Sequence, residues 1–159
     1  MFGTHPLQVD SWLELVLRLG LAASLGLLLG IDRELRGHDA GIRTHAMVSL
    51  SSAMIMVSSL MLSHAISQSG ADAPDPLRAI QGLSQAIGFI AAGMIFVDRG
   101  AVVNMTTAAN IWIAAAIGIA CGCGQYSIVI VGASLALLLL IVVKLLERFL
   151  PAEKRSADD

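Results

Sequence analysis

The stretch QYSIVIVGASLALLLLIVV, residues 125–143, runs for 19 positions without a charged side chain. A helix of that length rises about 28 Å, close to the roughly 30 Å of hydrocarbon in a bilayer core. Four more windows of similar character lie upstream: Trp12 to Ile31, Thr44 to Ile66, Leu77 to Val97 and Thr106 to Gly122. Of the 22 charges in the chain, only those of Glu14, Arg18 and Arg78 fall inside the five windows, each within a few turns of an end. With 56% hydrophobic and 14% charged residues among 159, and a mean hydropathy of +0.77, a water-soluble globule is excluded, since such domains carry about 25% charge. A net charge of −2 with seven aromatic residues offers no basic surface for nucleic acid. The expectation is an all-α, polytopic membrane helix bundle with five transmembrane helices over residues 1–149, followed by a short cytoplasmic tail, 150–159.

Two boundaries need an argument. The first window is not a secretory signal, because Met1 to Asp10 hold no Lys or Arg and no small-residue cleavage site follows a short apolar core. The fourth and fifth windows are separated only by Gly122-Cys123-Gly124, and the two glycines favour a tight helical hairpin over one long span or a re-entrant pair. Orientation follows the Lys/Arg bias of the connections. Arg33, Arg36, Arg43, Arg99, Lys144, Arg148, Lys154 and Arg155 all fall on one side and none on the other. This places the N-terminus outside and the C-terminus in the cytoplasm.

With five crossings, the 32–45 connection, the end of span three at Val97-Asp98-Arg99-Gly100 and the start of span four at Asn104-Met105-Thr106-Thr107 share one membrane face. The first connection reads either as a solvated juxtamembrane loop or as part of a convergent charged face. In the second reading Arg33, Arg36, Arg43 and Arg99 pair with Asp32, Glu34, Asp39 and Asp98 in a partly lowered dielectric. Arg33, Glu34, Arg36, Gly41, Arg43, Thr44, His45, Asp98, Arg99, Thr106 and Thr107 are then the candidate functional face. Thr106 or Thr107 is expected to cap span four. No cofactor is expected, although a magnesium ion would draw on Asp32, Glu34 and Asp98, whose spacing matches no defined metal loop.

Within the membrane, Gly26, Gly30, Gly88, Gly93, Gly118 and Gly122 sit in small-residue patterns that let helices approach closely, in a compact bundle or a homodimer. Gln81, Gln85 and Asn110 form a candidate polar seam, read as interhelical hydrogen bonding or as the lining of a small pathway. Glu14 and Arg18, four apart, are expected to pair with each other, and Arg78 to snorkel outward or meet Asp75. Cys121 and Cys123 read as two apolar thiols, because a CxC bridge closes a strained ring. The four histidines are scattered, and no nucleophile elbow, phosphate loop or paired carboxylates are present. No enzyme is expected.

Three ordered blocks resemble the MgtC/SapB family of membrane proteins. Gly30-Ile31-Asp32-Arg33-Glu34-Leu35-Arg36-Gly37 with Ala40-Gly41-Ile42-Arg43-Thr44-His45 is similar to its G-x-E-R-E-x-R-G…A-G-L-R-T-H signature. Ile87 to Ile95 resembles I-G-F-L-G-A-G-x-I, and Thr106 to Gly118 resembles T-T-A-A-T-L-W-x-A-A-A-I-G. The similarity runs from about Leu13 to Glu147. It implies a multi-pass protein of the bacterial inner membrane, linked to growth under magnesium limitation and, in pathogens, to survival inside host cells. The expected function is non-enzymatic, in magnesium or ion homeostasis through another membrane complex. The alternatives are a small magnesium, ion or solute transporter and a scaffold built on the glycine-rich helix faces. The expected partners are the lipid bilayer, a second copy and another membrane complex. Asp32, Ala91 and Asn104-Met105 depart from the family pattern, and the residues after Arg148 are too few for the soluble C-terminal domain of many relatives.

Overall fold

The computed structural model describes residues 11–38, 40–98 and 101–149. Among them are five helices, α1 (Trp12–Leu35), α2 (Ile42–Gln68), α3 (Leu77–Met94), α4 (Met105–Gly122) and α5 (Tyr126–Phe149), and two short strands, β1 (Phe96–Asp98) and β2 (Ala101–Val103). All but α3 are long and apolar enough to cross a membrane on their own composition. The chain is a multi-pass membrane protein of all-α type.

Local chemistry explains the helix ends. Ser11 caps α1 by accepting from the Glu14 backbone N–H at 3.2 Å. The Asp75 carboxylate accepts from the Leu77 N–H at 2.9 Å at the start of α3. Between α4 and α5, the Gln125 N–H reaches the Ala120 carbonyl and the Gly124 N–H reaches that of Cys121, each at 2.9 Å. With Gly124 at φ +68°, this paired arrangement stops a helix and turns the chain sharply. The two windows therefore form a tight hairpin. Cys121 and Cys123 are buried and free.

The helix windows need three corrections. The third does not continue to Val97: α3 ends at Met94, and Phe96–Asp98 pairs antiparallel with Ala101–Val103. In the sequence, Phe, Val and Ala on either side of an Asp-Arg-Gly stretch suit a pair of strands better than a helix. At the other boundaries, α1 extends to Leu35 and α2 begins at Ile42, because the charged residues there remain helical beyond the apolar core. Last, α5 runs to Phe149.

α4 is the axis of the bundle, packed against α1, α2, α3 and α5. Its contact with α2 is backbone to backbone. A Cβ on Gly118 would fall on the Ser49 carbonyl, and one on Gly122 would lie 2.7 Å from the Ala53 carbonyl oxygen. A Cβ on Gly26 of α1 would meet the His45 carbonyl oxygen at 2.7 Å, and one on Gly30 the Ile42 Cα at 2.6 Å. Four glycines thus let three helices approach at distances no side chain permits. Gly88 and Gly93 play no such part, since a Cβ on either would meet nothing within 4 Å.

Around this contact, Ala22, Ala53 and Ala114 join Val129, Ala133 and Ala136 of α5 in one cluster. α3 packs Leu83 beside Met56, Leu60 and Cys123 at one end, and Ile87 beside Ala40, Ile111 and Ala115 toward the other. It therefore crosses the bundle between the end where α2 stops and the end where α4 starts. The described parts of the 36–41 and 95–104 connections lie together at one end, and 69–76 and 123–125 at the other.

Gly118→Ala is expected to destabilise the protein by about 1–3 kcal/mol, the cost of overpacking against backbone. Gly132→Ala on α5, where a Cβ has open space, should be close to neutral. Thermal unfolding in detergent should lower Tm by roughly 3–10 °C for the first variant only.

Candidate functional site

The inward stripe of α1 is Arg18, Ala22, Gly26, Leu29, Gly30 and Arg33, all buried. Small residues and Leu29 occupy its middle, and an arginine stands at each end. Arg18 is 0% exposed; its Nη1 donates to the Gly122 carbonyl at 2.9 Å, and its Nε donates to Glu14 Oε1 at 3.1 Å. The guanidinium thus joins the C-terminal end of α4, where the helix dipole favours a cation. Arg33, 6% exposed, reaches the first turn of α4 and donates from Nη2 to Thr107 Oγ1. There the dipole opposes a cation, so the hydroxyl acceptor compensates for an unfavourable position.

The turn after α1 builds the rest of this end. The His38 N–H returns to the Arg33 carbonyl at 3.1 Å, and the Gly37 N–H to that of Glu34 at 3.1 Å, with Gly37 at φ +73°. This motif reverses the chain. Glu34 then faces the start of α2, where its Oε2 accepts from the Ile42 N–H at 3.0 Å. Gly41, at the N-cap, has no side chain of its own to cap α2, so the carboxylate of α1 supplies the cap. A Cβ on Gly41 would occupy the place of Glu34 Oε2. One turn further, His45 is 0% exposed and its Nδ1–H donates to the Gly41 carbonyl at 2.9 Å.

Three helices therefore bring Arg33, Glu34, Gly41, His45 and Thr107 together at one end of the core. Ser49, one turn beyond His45, and Asn110, one turn beyond Thr107, are also buried. His45 Nε2, Ser49 Oγ and Asn110 Nδ2 have no hydrogen-bond partner among the described residues. A buried polar group left in this way costs about 1–3 kcal/mol, so the junction departs from the small, apolar packing beneath it.

The remaining candidates lie on the surface or elsewhere. Arg36 pairs with Asp32 at 3.0 Å, and Lys144 of α5 approaches the same carboxylate at 3.6 Å. Arg43, Thr106 and Asp98 are exposed and Thr44 is half-buried. Arg99 and Asp39 lie outside the described residues. The expected magnesium trio of Asp32, Glu34 and Asp98 does not assemble: Asp32 is engaged by two cations, Glu34 by the α2 backbone, and Asp98 stands on the hairpin. No metal-holding group of three His, Cys, Asp or Glu occurs among the described residues. Neither threonine caps α4; Asn104 holds that position at φ +67°, and its Nδ2 donates to the Met94 carbonyl at 3.3 Å. The expected polar seam also divides, because Gln81 and Gln85 are exposed on α3 while Asn110 is buried in the junction.

Sequence reading paired Arg18 with Glu14 but overlooked its contact with the α4 terminus. The signal was present: Ala22, Gly26 and Gly30 follow Arg18 at intervals of four, which marks its stripe as the packing face. Ser49 was overlooked too, one turn after His45 on the same face.

Residues 19–149 match the sequence model of the MgtC family. The chain belongs to the MgtC family. YhiD of Escherichia coli strain K12, by its name a candidate magnesium transporter, is 38% identical over 134 residues, covering 80% of this chain and 59% of that protein. Protein MgtC of Salmonella typhimurium strain LT2 is 37% identical over 112 residues, 70% of this chain and 44% of its own length. Protein SrpB of Synechococcus elongatus is 34% identical over 150 residues, 89% of this chain and 81% of its own. The chain thus spans little more than half the length of YhiD and less than half that of MgtC. No solved structure matches it.

Within this MgtC-family bundle, Thr107→Val should cost about 1–3 kcal/mol by removing the acceptor of a buried guanidinium, and Glu34→Ala about 1 kcal/mol by uncapping α2. Arg43→Ala should stay within about 0.5 kcal/mol. Chemical unfolding of the three variants in one detergent checks the order.

Proposed function

We propose that this chain is a non-enzymatic factor in magnesium or ion homeostasis that works by binding or regulating another membrane complex. In this reading it sits in the bacterial inner membrane, with the Arg33–His45–Thr107 end facing the cytoplasm. The observation that carries the reading is the contrast between the two parts of the α1–α2–α4 interface. Polar groups gather at the arginine–threonine junction. Deeper in, Gly26, Gly118 and Gly122 press helix backbones together, which leaves no room between these helices for a hydrated ion. A transporter needs ligands across the midplane; a regulator needs a rigid, chemically distinctive end.

The exposed charges fit the same reading. Arg43 and Asp98 are exposed on separate segments at the junction end, and at the last turns of α1 Asp32 gathers Arg36 and Lys144. A partner meeting this end encounters mixed charge on a fixed frame, which favours specificity over raw affinity. The name of YhiD, a relative in the same family, supplies the magnesium context. The carboxylates here support that context as a regulated process, because Asp32 and Glu34 are already engaged by the protein's own groups.

Complementation of growth in low magnesium, in a host lacking its own family member, tests the proposal. Arg43→Ala and Asp98→Ala are expected to reduce growth, while Asp72→Ala, exposed in the loop at the opposite end, leaves it unchanged. Glu14→Ala is not a neutral control, since it strips the ion pair from buried Arg18. Equal growth of the Arg43, Asp98 and Asp72 variants would contradict the assignment of the working end.

A further inference from the structure

We infer that the outward face of α3 is a helix–helix interface and that its occupant is the α3 of a second copy of this chain. α3 is amphipathic in a sense opposite to that of a helix bathed in lipid. Its buried side is apolar, with Leu83, Ile87 and Ala91 turned into the bundle. The side turned away carries Gln81, Gly82, Gln85, Phe89, Ala92 and Gly93, all exposed. Gln85 is nearly midway along the 18 residues, about 12 Å from the first at 1.5 Å per residue. A side-chain amide at that depth facing hydrocarbon has no water to bond, so it is costly unless another helix satisfies it. The same property keeps α3 out of the set of helices apolar enough to span unaided, although the packing requires it to cross.

The chemistry of the face selects a second copy. An amide side chain is both donor and acceptor, so two glutamines related by a two-fold axis satisfy each other. Two copies inserted in one membrane in the same sense present α3 in parallel, which is an isologous contact: residues on the two-fold axis meet their own mates, and residues flanking it meet one another reciprocally. The small residues on the face leave open space where a second backbone fits, since a Cβ on Gly82 or Gly93 would meet nothing within 4 Å. At the start of the helix, exposed Arg78 lies one turn from exposed Asp75, so each copy offers the other a charge of opposite sign.

The test uses the full chain in liposomes at increasing lipid dilution. The native cysteines are buried and free and therefore poorly reactive, so Phe89→Cys and Ala92→Cys on the α3 face report against Ile130→Cys, on the exposed side of α5. A short thiol cross-linker should yield covalent dimers at 89 and 92 and not at 130. Single-molecule photobleaching of labelled chains should show two-step traces for the unmodified protein. Gln81→Leu with Gln85→Leu, outward changes that leave the bundle core intact, should weaken dimerisation by about tenfold. One-step traces at every dilution, or no covalent dimer at 89 and 92, would each overturn the inference.

Discussion

The carbonyl of Ser49 lies where a side chain on residue 118 would have to be. That single constraint fixes the distance between α2 and α4, and the rest of the bundle is arranged around it. With Gly118 and Gly122 against α2, and Gly26 and Gly30 of α1 against the start of α2, three helices meet through their backbones. In lipid the hydrophobic effect does not drive helices together, and close van der Waals packing of this kind takes its place. α5 attaches to the same core through Ala133 and Ala136 and turns its large apolar side chains outward.

Close approach also explains where the polar chemistry is found. Beside the glycines there is room only for small groups such as the buried Ser49 and Ser52, so the large polar side chains of the α1 stripe stand at its two ends. At one end Arg18 donates to the Gly122 carbonyl of α4 and pairs with Glu14. At the other, Arg33 crosses to Thr107, and Glu34 crosses the turn to cap α2. The two arginines are fifteen residues apart on one face of one helix, and each joins an end of α4. The second end is the richer one, because the turn at Gly37 returns the chain close enough for Glu34, Gly41 and His45 to share it.

Much of this was legible in the sequence, and the failures have physical causes. The windows of apolar residues located all five helices, because a bilayer enforces a length and a polarity that local sequence must meet. The hairpin at Phe96–Val103 was hidden because strands and buried helix segments are both apolar, and only the Asp-Arg-Gly stretch distinguished them. Gly26, Gly30, Gly118 and Gly122 occupy close contacts, whereas Gly88 and Gly93, in an equally suggestive pattern, face away from the bundle; spacing alone does not say which face of a helix is covered. The charged connection was read as mutual pairing of arginines and carboxylates. In the structure Glu34 instead satisfies a backbone donor and Arg33 a hydroxyl, since helix ends carry unsatisfied groups that compete for the same side chains.

The proposed role, regulation of another membrane complex without passage of an ion, depends on a closed core with one chemically distinctive end. That role requires that no space for an ion exist between α1, α2 and α4, which a flux measurement probes. The purified chain is reconstituted into liposomes loaded with a magnesium-sensitive dye, and an inward magnesium gradient is applied. A closed core gives a dye response indistinguishable from that of empty liposomes. A magnesium influx above that background, abolished by Gly118→Leu at the α2–α4 contact, would contradict it.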